Sequence, residues 1–160
     1  MPHRDRNRTL TRSLMLGAIS GMRSIMGTAL ISSHIAGRHD SALRGTPLAP
    51  LANENVARAL SVLSAGEVAA DKLPGIPPRI ATGPLIGRAL FGALAGAAVC
   101  AEDRQPLAAG ALVGAVSAVA VTFGMYHLRR WLTQEAGLPD TVVALAEDTI
   151  AYSIGRQALR

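Results

Sequence analysis

Five apolar stretches, each long enough to be a helix, alternate along the chain with polar breaks rich in Gly and Pro. Ser13–Ile35 is apolar apart from a few small polar residues, His34 and Arg23. Its ~23 residues suffice to cross a ~30 Å hydrocarbon core as one helix. Ala36–Asn55 carries Gly45, Pro47, Pro50, Asn53 and Asn55 and reads as a loop. Val56–Leu73 is the second stretch, stopped by P-G-I-P-P at Pro74–Pro78. Thr82–Ala101 is the third. A short polar break, Glu102–Pro106, leads into Leu107–Tyr126, which has no charged residue and is the strongest transmembrane signal in the chain. Tyr126–Trp131 then supplies aromatic and basic side chains suited to a membrane interface. After a turn at Gly137–Asp140, Thr141–Ile154 is the shortest and most polar stretch, short enough to be re-entrant. The pattern predicts an all-α membrane protein, a bundle of about five transmembrane helices forming one domain over residues 1–160.

Composition narrows this. Hydrophobic residues at 49% would suit a soluble core too, but aromatics are only 3%, and Ala, Gly, Leu and Val dominate. Small residues of this kind let membrane helices approach closely. The net charge of +5 does not point to nucleic acid, because the basic residues flank apolar runs rather than forming a stripe. Residues 1–12 hold Arg4, Arg6, Arg8 and Arg12 against Asp5, a basic tail expected in the cytoplasm. Arg23 inside the first run argues against a cleaved leader. A single cysteine, Cys100, excludes an intrachain disulfide. With five crossings, the Lys and Arg residues near the ends divide eight to six in favour of a cytoplasmic N-terminus, with the C-terminus opposite.

Two further patterns shape the expected function. G-A-I-S-G at Gly17–Gly21 returns as G-A-L-V-G at Gly110–Gly114, with a related G-A-L-A-G at Gly92–Gly96. In both halves the following helix carries acids. Pairing spans one and two with four and five predicts an inverted repeat, typical of transporters. The three G-x-x-x-G faces also predict a homo-oligomer in the lipid bilayer. The acids are Glu67 and Asp71, one turn apart, and the adjacent Glu147 and Asp148. Counted from the nearer span ends, Glu67 and Glu147 lie ~8 and ~10 Å deep, and Arg23 lies ~16 Å in.

G-M-R-S at Gly21–Ser24, A-G-E at Ala65–Glu67, A-D-K-L-P at Ala70–Pro74 and Gly137–Asp148 together resemble the family called domain of unknown function 4126. The resemblance runs from Gly17 to about Gly155. It implies a small integral protein of the bacterial inner membrane, multi-pass, and no activity.

Acids inside membrane helices mark ion pathways. Glu67, Asp71, Glu147, Asp148, Arg23 and Ser24 are therefore the expected ion or substrate site, and the expected function is a cation transporter or channel, coupled to protons. Glu67, Glu147 and Asp148 against Arg23 leave an excess of negative charge, as a cation site requires. The alternative is a non-transporting structural or interaction protein whose acids pair with Arg23 and Lys72. Hydroxyls such as Ser117 and Thr149 more often bond helix backbone. No G-x-S-x-G elbow is present, and neither catalysis nor a cofactor is expected.

Overall fold

The run Ser13–Ile35 does not form one helix. In the computed structural model, α1 (Pro2–Met22) stops, the chain turns through Arg23–Ile25, and α2 (Met26–Ile35) runs back beside it. The structure describes the backbone of residues 2–70 and 79–160, and the side chains of residues 5–67 and 79–160. Asp71, Lys72 and Pro74–Pro78 lie outside the described residues. Two short 3-10 turns, Ala42–Gly45 and Ala49–Ala52, lead into α3 (Glu54–Ala70). The remaining helices are α4 (Thr82–Glu102), α5 (Leu107–Gln134) and α6 (Asp140–Ala158), and the described residues contain no strand. The six helices confirm the all-α class. Among the described residues, only α4 and α5 are long and apolar enough to cross a membrane by length and composition.

Small residues set the centre. On α4 and α5, Gly92 lies against Gly114 and Gly96 against Gly110, so close that a Cβ on any of the four would run into backbone of the other helix. On α1, Gly17 abuts Gly114 and Gly21 abuts Ala118. The motifs at Gly17–Gly21, Gly92–Gly96 and Gly110–Gly114 thus face one another inside a single chain, whereas a fourth G-x-x-x-G, Gly83–Gly87 on α4, meets nothing within 4 Å. The facing motifs bring three backbones into contact, which is the use small residues have where apolar burial gives no drive between helices. The six glycines of these motifs are thus occupied within the chain.

The same contacts fix direction. Residue numbers rise together along α1 and α5, so these helices are parallel. Both run antiparallel to α4, as Ser13 Oγ 3.1 Å from the Gly96 carbonyl and Arg88 at Gly21 show for α1, and the Gly92–Gly114 and Gly96–Gly110 pairs for α5. An inverted repeat of spans one and two with four and five requires α1 and α5 to be antiparallel. The structure overturns it, and the cause is the extra reversal at Arg23–Ile25. That turn is tight: Gly27 packs against the carbonyl of Leu16 and the hydroxyl of Ser20, leaving no room for a side chain. Leu16, Ile19, Ile31 and Ile35, all fully buried, fill the space around the hairpin.

α3 runs against α2, with Ser33 and Ser61 hydroxyls 3.2 Å apart at one end and Glu67 at the α1–α2 turn at the other. α6 runs against α1, from Asp148 beside Arg23 to Ala158, whose carbonyl accepts from Arg12 Nε at 2.8 Å. Both ends of the chain therefore lie on one face of the bundle. The sequence-based expectation of opposite faces is corrected by the same reversal.

Candidate functional site: a charge layer at the helix break

A helix that stops leaves carbonyls without partners at its end, and one that starts leaves amides without partners. Here both ends sit at the Arg23–Ile25 turn, and charged side chains from other helices meet them. The Glu67 carboxylate of α3 accepts from Ser24 N at 2.7 Å and Ile25 N at 3.1 Å. Arg88 of α4, buried, donates through Nη1 to the carbonyls of Gly21 at 2.6 Å and Met22 at 3.0 Å. Thr122 Oγ1 of α5 adds a contact to the Gly21 carbonyl at 3.1 Å. Each charge matches the dipole of the end it meets, negative at the start of α2 and positive at the end of α1. Arg88 and Glu67 also approach each other, Nη2 to Oε1 at 3.8 Å.

Arg23 itself is buried and points to α6, donating from Nε to Asp148 Oδ1 at 2.6 Å. Glu147 is also buried but serves a different set. Arg79 Nη1 lies 2.5 Å from its Oε1, and Arg129 Nη1 lies 3.6 Å from its Oε2. Arg129 in turn holds Asp140 with both fork nitrogens, at 2.8 and 2.7 Å. The expected layer of Glu67, Glu147 and Arg23 is thus divided. Asp148, not Glu147, shares the turn with Glu67 and Arg23.

Of the sequence-predicted site, the structure brings Arg23, Ser24, Glu67 and Asp148 to one place. Ser24 contributes its backbone amide there. Glu147 stands apart, and Asp71 lies outside the described residues. Thr149 Oγ1 bonds its own helix at Leu145 O, whereas Ser117 Oγ crosses to Leu14 O on α1. The arginines that complete the network were read from sequence as topology signals (Arg79, Arg129) or as a span residue (Arg88). For Arg129 a signal existed. Counting outward from the Gly137–Pro139 turn puts residues 129 and 147 at equal distances on antiparallel helices. With all four arginines in place the tally changes: Arg23, Arg79, Arg88 and Arg129 meet Glu67, Asp140, Glu147 and Asp148. Among the described residues, four charges of each sign stand in place of the expected negative excess. Among the described residues, no three His, Cys, Asp or Glu side chains are grouped to hold a metal ion.

Neither the curated proteins nor the solved structures contain a match to this chain. Its affiliation rests on the sequence, which matches the family model described as Domain of unknown function (DUF4126) over residues 10–159, and the chain belongs to that family.

Proposed function

We propose that the protein is a multi-pass membrane protein of the non-transporting kind, in which the buried charges clamp a re-entrant α1–α2 hairpin against a four-helix frame. The carrying observation is that the protein's own side chains occupy both ends of the helix break. In transporters with broken helices, the exposed amides meet an anionic substrate and the exposed carbonyls coordinate a cation. Here Glu67 stands where the anion would bind and Arg88 where the cation would bind. Neutrality of the described network supports the same reading. The described acids pair with arginines: Arg79, Arg88 and Arg129 join the expected Arg23, and the expected Lys72 lies outside the described residues.

Membrane placement draws support from what the bundle exposes. Val62 and Leu63 on α3, Ile86 and Leu90 on α4, Leu112 and Val116 on α5, and Leu145 and Ile150 on α6 all face outward. An apolar belt shared by four helices suits lipid better than water. Only 22% of the most apolar α5 window is buried inside the protein, the opposite of a soluble core helix. α3 and α6 complete the frame as shorter, more polar crossings. Regrouping the basic residues by the observed directions strengthens the orientation. Arg4, Arg6, Arg8, Arg12, Arg38, Arg44, Arg58, Arg104, Arg156 and Arg160 fall on the face of the termini. Arg79, Arg129 and Arg130 fall in segments of the other face, a division of ten to three among the described residues where five crossings gave eight to six. Both termini are then cytoplasmic.

Cation transport is the second reading, favoured by the position of the hairpin tip. α2 is ten residues or ~15 Å long, and the part of α1 from Arg12 to its end is about as long, so the turn reaches roughly mid-membrane with Glu67 on it. Flux measured in liposomes reconstituted with the wild-type protein, over monovalent and divalent cations and protons, decides between the two. The clamp reading expects flux no greater than in empty liposomes. Saturable flux of any one cation would overturn it.

A further inference from the structure

The face that carries the termini holds a second feature, away from the charge layer. Two adjoining cavities of 340 and 430 Å³ lie where the first turns of α1 cross the α4–α5 connection, and both are lined by Thr9 and Gln105. Arg6 opens on the first, and Arg8 and Arg12 on the second. Arg12 is spent within the fold: its Nη1 holds both oxygens of Asp103 at 3.0 Å, and its Nε holds Ala158 O. Thr9 Oγ1 also reaches Asp103 Oδ2, at 2.7 Å, so this carboxylate is fully engaged. Arg6 and Arg8 are exposed and form no ion pair among the described residues, while Asp5 is the other acid at the rim. The corner therefore offers two guanidinium groups against one carboxylate, above a neutralised floor.

Below Arg6 the lining changes character to Leu10, Pro106 and Ala109. Leu14 lies one turn further along α1 and Leu112 one turn further along α5, and both are exposed. A cationic head thus sits directly over an apolar track between two helices. We propose that this corner binds one anionic phospholipid, its phosphate held by Arg6, Arg8 and Gln105 and an acyl chain lying along Leu10 and Leu14. The shared chemistry is a phosphate ester. The apolar track favours a lipid over a soluble phosphate, and a basic pocket on the cytoplasmic side of membrane helices is a recurrent place for such headgroups. The cavities fall within the usual size of a small-ligand site, roughly 300–1,000 Å³.

The inference rests on membrane placement but not on the role of the charge layer. Full-length protein in dodecyl maltoside micelles, titrated with short-chain phosphatidylglycerol, phosphatidylcholine or glycerol phosphate and followed by thermal stabilisation, tests it. Phosphatidylglycerol is expected to bind at least roughly tenfold tighter than the other two. An Arg6→Gln/Arg8→Gln double variant, with an unchanged melting midpoint in the absence of lipid, is expected to lose that preference. Arg104→Gln on the neighbouring turn is expected to keep it. Equal binding of the two lipids, or an unaffected double variant, would overturn the assignment. Glycerol phosphate binding as tightly as phosphatidylglycerol would overturn the lipid in favour of a soluble phosphate ester. A protein that stays monodisperse without detergent would overturn the membrane reading beneath it.

Discussion

Replacing Glu67 by glutamine removes one charge and almost no volume, so its effect isolates what the carboxylate does at the start of α2. Two backbone amides, at 2.7 and 3.1 Å, donate to its two oxygens, and the side chain is only 15% exposed. The amide group of glutamine offers one acceptor and turns a donor toward the second N–H, which is then left unsatisfied. A hydrogen bond to a charged acceptor is worth about 1.5–3 kcal/mol. Loss of the charge at a partly buried helix start takes up to ~2 kcal/mol, overlapping with that amount. A net destabilisation of about 2–3 kcal/mol follows for Glu67→Gln, and more for Glu67→Ala, which strands both amides. For a chain of this length the midpoint of thermal unfolding falls by roughly 4–12 °C. Melting of purified variants in one detergent, tracked by the single Trp131 and by circular dichroism, measures it. Two outcomes refute the clamp: a glutamine variant as stable as wild type, or an alanine variant no worse than the glutamine one. Full stability combined with lost cation flux would transfer Glu67 to the transport reading.

The remaining predictions concern packing and direction. Gly96→Leu should prevent folding and give aggregated or degraded protein, since even its Cβ meets the Gly110 carbonyl; Gly124→Ala, with open space around it, should melt within about 1 °C of wild type or slightly higher. Folded Gly96→Leu protein that merely fails to associate would restore the oligomer reading of that face. Reporter fusions at the two ends should both report cytoplasm, and a C-terminal fusion found outside would contradict the observed α1–α5 direction.

Much of the helix placement was legible in the sequence, because breakers bracket the helices. Thr82–Ala101 became α4, ending at Glu102, and Leu107 opens α5 as the Pro106 before it suggests. α5 ran two turns past Tyr126, since polar residues after an interface can continue a helix outside the apolar window. The hairpin was hidden for a physical reason. Met22–Ile25 contains no proline, and hydropathy averages over a turn that is itself at least half-buried. Arg23 was the one visible clue: a charge in the middle of an apolar run needs a partner, and a turn is where other helices can supply one. That single unseen reversal accounts for the wrong parity of the later helices, the inverted repeat and the placement of the C-terminus. The glycine motifs were correctly singled out, but sequence names a sticky face without naming what sticks to it. Glu67 and Arg23 were found by rarity of charge; Arg88 was legible as a partner for the acids, but its hold on the Gly21 and Met22 carbonyls was not, since that task exists only at the end of a break.

The hairpin also sets a schedule for making the protein. Its tip at Gly21–Ile25 is completed by Glu67, Arg88 and Thr122, residues that leave the ribosome long after the tip does. At ~5–20 residues per second, the hundred residues separating Met22 from Thr122 take roughly 5–20 s to synthesise. For that interval the apolar hairpin, with an arginine at its turn, lacks the partners that later close it. It is made well before α4 and α5 and is locked only once both have followed it.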